Sequence, residues 1–267
     1  MDRVTPNRLR WGAIAWLLTL QFFVLETLAQ ARHGGPYSRA DDVISALGAA
    51  DSAGRQLMNA SFVVQAGLIL AGALLLRPAL LRGAGQVAPV LLGAAALGVL
   101  LVGVFPTDGN GTMHAIGAVL YLVGGGLGLI ALAYAVRPRS EALGTALALL
   151  GLVATAATAF FLTGVTQYLG EGGTERVAAY PLPIGLALAG VVLWRMELPA
   201  GTGGTAAVAR PSRREERERA RFERASRDSE RDAALEAAAR RTPGSRPIDD
   251  EDEVEDPWAG RGRRGQG

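Results

Sequence analysis

The chain has no cysteine and no lysine, and only two of its 267 residues, His33 and His114, are histidine. Without cysteine there are no disulfides, no thiolate metal ligands and no thiol nucleophile. Two histidines exclude a three-histidine zinc site. All 27 basic residues are arginine, a bias that a GC-rich coding sequence explains and that points to a bacterial source. Charge is scarce over most of the length: positions 1–195 hold 21 charged side chains, and the remaining 72 positions hold 31. A net charge of +2 carries no basic excess, so no nucleic-acid partner is implied. There is no Walker sequence, zinc-binding helix motif or nucleophile elbow, and no cofactor or metal is called for.

What is present in quantity is long apolar runs. A hydrocarbon core about 30 Å thick is crossed by about 20 apolar residues of helix, and six runs reach that length: 11–31, 57–76, 87–105, 114–136, 143–165 and 177–194. Backbone amides find no water inside lipid, so each run must be helical despite its glycines and prolines. The expected fold is all-α, a polytopic bundle of six transmembrane helices over 1–195. Residues 196–267 have too little apolar surface to offset the entropy of ordering and read as a disordered cytoplasmic tail, with i,i+4 pairs such as Glu223 and Arg227 allowing a helix over 213–241.

Arginines before the first run (Arg3, Arg8, Arg10), after the second (Arg77, Arg82) and after the fourth (Arg137, Arg139) share a side with Arg195 and the tail. The positive-inside rule then puts both termini in the cytoplasm of a multi-pass protein of the bacterial inner membrane. Ala29-Gln30-Ala31 also fits a signal cleavage site, although the run is long for a signal core and carries Glu26; cleavage would leave five helices. Gly124 and Gly128 allow the fourth helix to approach a neighbour closely.

With that orientation the unusual polar residues gather at the outer helix ends. Glu26 lies about 7 Å inside the outer end of the first helix, and a carboxylate there must face the bundle, take a proton, find a cation or reach the headgroups. Arg176 is the candidate cation. Asp108, in Phe105-Pro106-Thr107-Asp108, precedes His114 by six residues, so the two could share a proton or a metal, or serve as a turn former beside an interfacial histidine. Glu175 completes the candidate pocket of Glu26, Asp108, His114, Glu175 and Arg176. Asp41, Asp42 and Ser45 lie in the first outer loop, where Asp41 to Gly48 has the pattern of a short capped helix with Val43, Ile44 and Leu47 on one face. Asn59 and Ser61 begin the second helix at the same depth.

Tyr37-Ser38, Ile44-Ser45-Ala46-Leu47-Gly48, Asn59-Ala60-Ser61-Phe62-Val63, Val102-Gly103-Val104-Phe105-Pro106-Thr107-Asp108 with His114, and Glu175-Arg176 together resemble the bacterial membrane proteins grouped as domain of unknown function 998. The Phe-Pro-x-Asp to His element is the most specific of these pieces. The resemblance covers about positions 9–195, leaves the tail outside, and implies a six-helix membrane bundle with no established activity.

The leading expectation is a polar pocket open to the outer leaflet that binds a membrane lipid headgroup or small polar ligand, with Arg176 and His114 contacting an anion and the carboxylates orienting them. The rivals are a scaffold or accessory subunit whose tail recruits a cytoplasmic protein partner, a lipid-modifying enzyme with Asp108 or His114 as general base, and a small-solute transporter with Glu26 as a protonatable switch. The third to sixth runs lack the midplane charges that transporters commonly use.

Overall fold

The computed structural model describes residues 6–80, 83–197, 221 and 223–235. Among them there is no strand, and six helical spans are long and apolar enough to cross a membrane: Asn7–Ala31, Arg55–Ala79, Gly85–Val104, Gly111–Val136, Glu141–Leu162 and Glu171–Met196. The protein is an α-helical bundle of six membrane spans.

The first and last spans are not single helices. The first consists of α1 (Pro6–Leu18) and α2 (Gln21–Ala31), where the sequence suggests one continuous helix. At the joint the backbone tightens, with Thr19 and Leu20 amides bonding the carbonyls three residues back, of Trp16 and Leu17, each at 3.2 Å. Thr19 Oγ1 reinforces that turn by donating to Trp16 O at 2.6 Å, a competition between side chain and ladder that is characteristic of threonine. The middle spans are α3 (Arg55–Leu76), α4 (Ala84–Val104), α5 (Gly111–Val136) and α6 (Glu141–Leu162).

The sixth span is α7 (Glu171–Ala179) followed by α8 (Pro181–Glu197), and it starts at Glu171 where hydropathy alone starts it at Val177. Pro181 and Pro183 have no N–H to give to the carbonyls of Val177 and Ala179. The Tyr121 hydroxyl of α5 donates to Ala179 O instead, at 3.4 Å. The two joints meet, because Thr19 Oγ1 also lies 3.2 Å from Pro183 O.

Glycine sets the closeness of the bundle where α4 and α5 cross. A Cβ at Gly117 would lie 2.7 Å from Gly98 O, and one at Gly124 2.9 Å from Ala95 N, so backbones touch there as small residues in membrane helices permit. In contrast, α6 is the least buried span, with Leu149, Leu152 and Phe160 exposed. Residues 32–54 join α2 to α3 over one end of the bundle. Within them Ile44–Gly48 is a 3₁₀ turn rather than a carboxylate-capped helix. Its cap position is Val43, and the carboxylates of Asp41 and Asp42 each hold Ser38, at Oγ and N respectively, both at 2.7 Å. Ile44 and Leu47 are fully buried, so this face is packed into the bundle.

The chain divides into two units, Met1–Thr202 and Gly203–Gly267. In the second, Arg221 and residues 223–235 are helical and exposed. The rest of the helix expected over 213–241, and the rest of the tail, lie outside the described residues.

Candidate functional site

Glu26 is completely buried and is the centre of a charged network at the loop end of the bundle. Its Oε1 accepts from Arg176 Nε at 3.0 Å and from Arg39 Nη2 at 3.3 Å. The Tyr180 hydroxyl reaches both carboxylate oxygens, at 3.0 and 2.7 Å, and accepts from Arg39 Nη2 at 2.7 Å. A buried ion pair is tolerable only when the remaining lone pairs and protons are also satisfied, and here they are. Arg176 Nη1 donates to the carbonyls of Arg39, Asp42 and Gly172 at 2.7, 2.9 and 3.0 Å, and Nη2 to the Tyr37 hydroxyl at 2.6 Å. Burial pushes the Tyr37 phenol above its ordinary value against the pull of Arg176, so it stays a neutral hydrogen-bonding group at physiological pH.

The same end shows how 32–54 is held. Besides the two carbonyls bound by Arg176, the Tyr37 hydroxyl lies 3.1 Å from Val43 O, Gly173 N donates to Ala40 O at 2.8 Å, and Glu175 Oε2 accepts from Ile44 N. Asn59 Nδ2 donates to Gly48 O at 3.0 Å, and Asp108 Oδ2 accepts from Ala50 N at 2.7 Å. A loop over a membrane bundle has backbone groups that need partners, and α7, α3, the turn between α4 and α5 and the loop's own tyrosine supply them. Gly170 starts α7 with φ of 75° and has the Ala40 carbonyl against it, a position that only glycine fills without strain.

Beneath the loop is a cavity of about 30 Å³, enough for one or two waters, whose polar lining is Ser45, His114, Tyr121 and Glu175 and whose aromatic walls include Phe22 and Phe62. His114 Nδ1 lies 2.9 Å from Phe105 O. A carbonyl only accepts, so Nδ1 carries the proton, and in the neutral ring Nε2 is an acceptor. Glu175 uses one oxygen on the loop; among the described residues its other oxygen has no hydrogen bond and the side chain has no ion pair.

The structure therefore sorts the sequence candidates into three places. Glu26 and Arg176 join directly, as the scarcity of charge in the spans suggests. His114, Glu175 and Ser45 share the cavity. Asp108 is exposed and holds the loop rather than His114, while Asp41, Asp42 and Asn59 also serve the loop. Ser61 is buried and its hydroxyl donates to Gln21 Oε1 at 3.3 Å, in a separate cluster where Gln21 Nε2 reaches Gln65 Oε1 at 3.1 Å. Among the described residues no three His, Asp or Glu side chains come together to hold a metal ion. Sequence reasoning meets Tyr37 only as a piece of the family resemblance and gives no site role to Arg39, Tyr121 or Tyr180. Of these last three, the spacing of Tyr180 one helical turn after Arg176, directly before Pro181, is the one that carries a signal.

The model of a family described as protein of unknown function (DUF998) matches residues 17–192. That stretch begins within α1, ends within α8, and contains the network, the loop and the cavity. Neither a protein of curated function nor a solved structure matches the chain.

Proposed function

The chain belongs to the DUF998 family of proteins of unknown function, and starting from that membership we propose that it is a ligand-binding protein of the bacterial cytoplasmic membrane. Both termini are cytoplasmic, so the loop end faces the outer leaflet, where the cavity takes part of a lipid headgroup or a small polar ligand. One observation carries this reading: Glu175, a carboxylate that makes no ion pair among the described residues, lines one small cavity with His114, Ser45 and Tyr121. A charged group so placed in a membrane bundle is costly unless something pairs with it.

The roles follow from what each side chain already holds. Glu175 and His114 present acceptors to the cavity and are the ligand contacts. Arg176 does not meet a ligand anion in this arrangement, because its nitrogens are engaged by Glu26, Tyr37 and the loop; with Glu26 it holds the loop closed over the site. Asp108 fastens the far margin of that loop.

Native mass spectrometry of protein extracted gently from its own membrane tests the proposal. The wild type is expected to retain a bound molecule that a His114→Ala, Glu175→Gln variant of equal thermal stability loses. Retention by neither form would sink it. A transport reading has one observation in its favour: the interrupted first and sixth spans meet at Thr19 and Pro183, and broken helices are common where transporters bind substrate. It separates from simple binding by substrate accumulation in vesicles.

A further inference from the structure

We infer that the cavity is built for a primary ammonium group, an inference that rests on reading it as a ligand site and names what enters. Acceptors dominate the polar atoms that no protein group takes up. They are the second oxygen of Glu175, Nε2 of His114 in its Nδ1–H tautomer, and the hydroxyl oxygen of Tyr121, whose proton is directed to Ala179 O, while the Ser45 hydroxyl can accept as well as donate. An ammonium head has three N–H donors and no acceptor, so it complements this set, and its charge pairs with Glu175. The rings of Phe22, Phe62 and Tyr121 line the same space, and aromatic faces attract a desolvated cation.

Hydrogen bonding and charge exclude the neighbouring chemistries. A trimethylammonium group has no N–H donor and would leave these acceptors unpaired. A phosphate would meet the Glu175 carboxylate with like charge. The ammonium belongs to an aminophospholipid headgroup or to a free small amine, and the two are separable by experiment.

Purified full-length protein is titrated with phosphatidylethanolamine, phosphatidylcholine of the same acyl chains, free ethanolamine and choline, with binding read by native mass spectrometry. Ethanolamine or its phospholipid is expected to bind at least about ten-fold more tightly than the choline counterpart, a gap of about 1.4 kcal/mol. Selection only among the phospholipids identifies the headgroup source, and selection among the free amines identifies a soluble one. Glu175→Gln, whose amide oxygen can still accept from the Ile44 amide, should weaken binding more than about ten-fold. Phe62→Leu should weaken it by about five-fold while leaving every hydrogen bond of the site in place. Equal binding of choline and ethanolamine compounds, or wild-type affinity in Glu175→Gln, overturns the inference. If extraction from the native membrane instead yields a molecule with no amine that the cavity variants lose, the ligand site stands and the ammonium assignment falls. If extraction yields nothing and no amine binds, both fall.

Discussion

Glu26 and Arg176 sit 150 residues apart in the chain and 3.0 Å apart in the fold, and their different surroundings decide what their loss would do. Removing the arginine leaves a carboxylate of zero exposure with the Tyr180 hydroxyl and, as its cation, the half-exposed Arg39. Arg176→Met should cost about 3–5 kcal/mol, seen as a lowered midpoint of thermal unfolding in detergent. The double variant Glu26→Leu, Arg176→Met should recover part of that loss, since no charge is then stranded. This pair was legible in the sequence because charged residues are so rare in the spans. The cavity was only half legible. Glu175 and His114 stand out as polar residues at helix ends, but Phe22, Phe62 and Tyr121 come from apolar runs in which every residue looks like a lipid-facing or core position. Asp108 and His114 are close in sequence yet separately employed, because the turn at Pro106, closed by Gly109 N to Pro106 O at 3.0 Å, leaves the aspartate to the loop and the histidine to the α4 terminus.

At the scale of elements, α7 and the 32–54 loop form one contact surface made of backbone. A Cβ at Gly172 would collide with the Asp42 carbonyl, and a backbone atom cannot swing aside as a side-chain tip can. Gly172→Ala should therefore destabilise by about 1–3 kcal/mol and make residues 32–54 more susceptible to limited proteolysis, while Gly67→Ala, with open space around its Cα, serves as the silent control. The helix interruptions were unequally visible beforehand. Pro181 and Pro183 mark the second, although the apolar run over 177–194 reads through them as one helix. Nothing comparable announces the first, where Leu18-Thr19-Leu20 is apolar enough to be averaged into a continuous span and the deciding partner, Pro183 O, comes from the far end of the domain.

For the whole molecule, six apolar runs sufficed to define the bundle, because the membrane leaves an exposed backbone no other solution. Which helices neighbour each other was not readable, since glycine notches such as those of Gly98 and Gly117 identify a close approach without identifying its partner. The absence of cysteine makes the proposed orientation simple to test. Gly34→Cys and Gly83→Cys each place one thiol where nothing lies within 4 Å of the new Cβ, at opposite ends of the bundle. In intact cells a membrane-impermeant maleimide should label the first and spare the second, with both labelled after lysis. The reverse pattern would invert the topology and place the cavity at the inner leaflet.

The separation of Glu26 from Arg176 also has a consequence in time. A ribosome adding about 5–20 residues per second makes the first span roughly 8–30 s before the arginine that completes it. During that interval the nascent chain holds a carboxylate in the membrane whose buried partner Arg176 has not been synthesised and beside which only the half-exposed Arg39 is ready, and every chain that stops short of Arg176 keeps it so. Such unfinished chains display a single polar defect at a fixed depth, a mark by which membrane quality control can tell them from the completed protein.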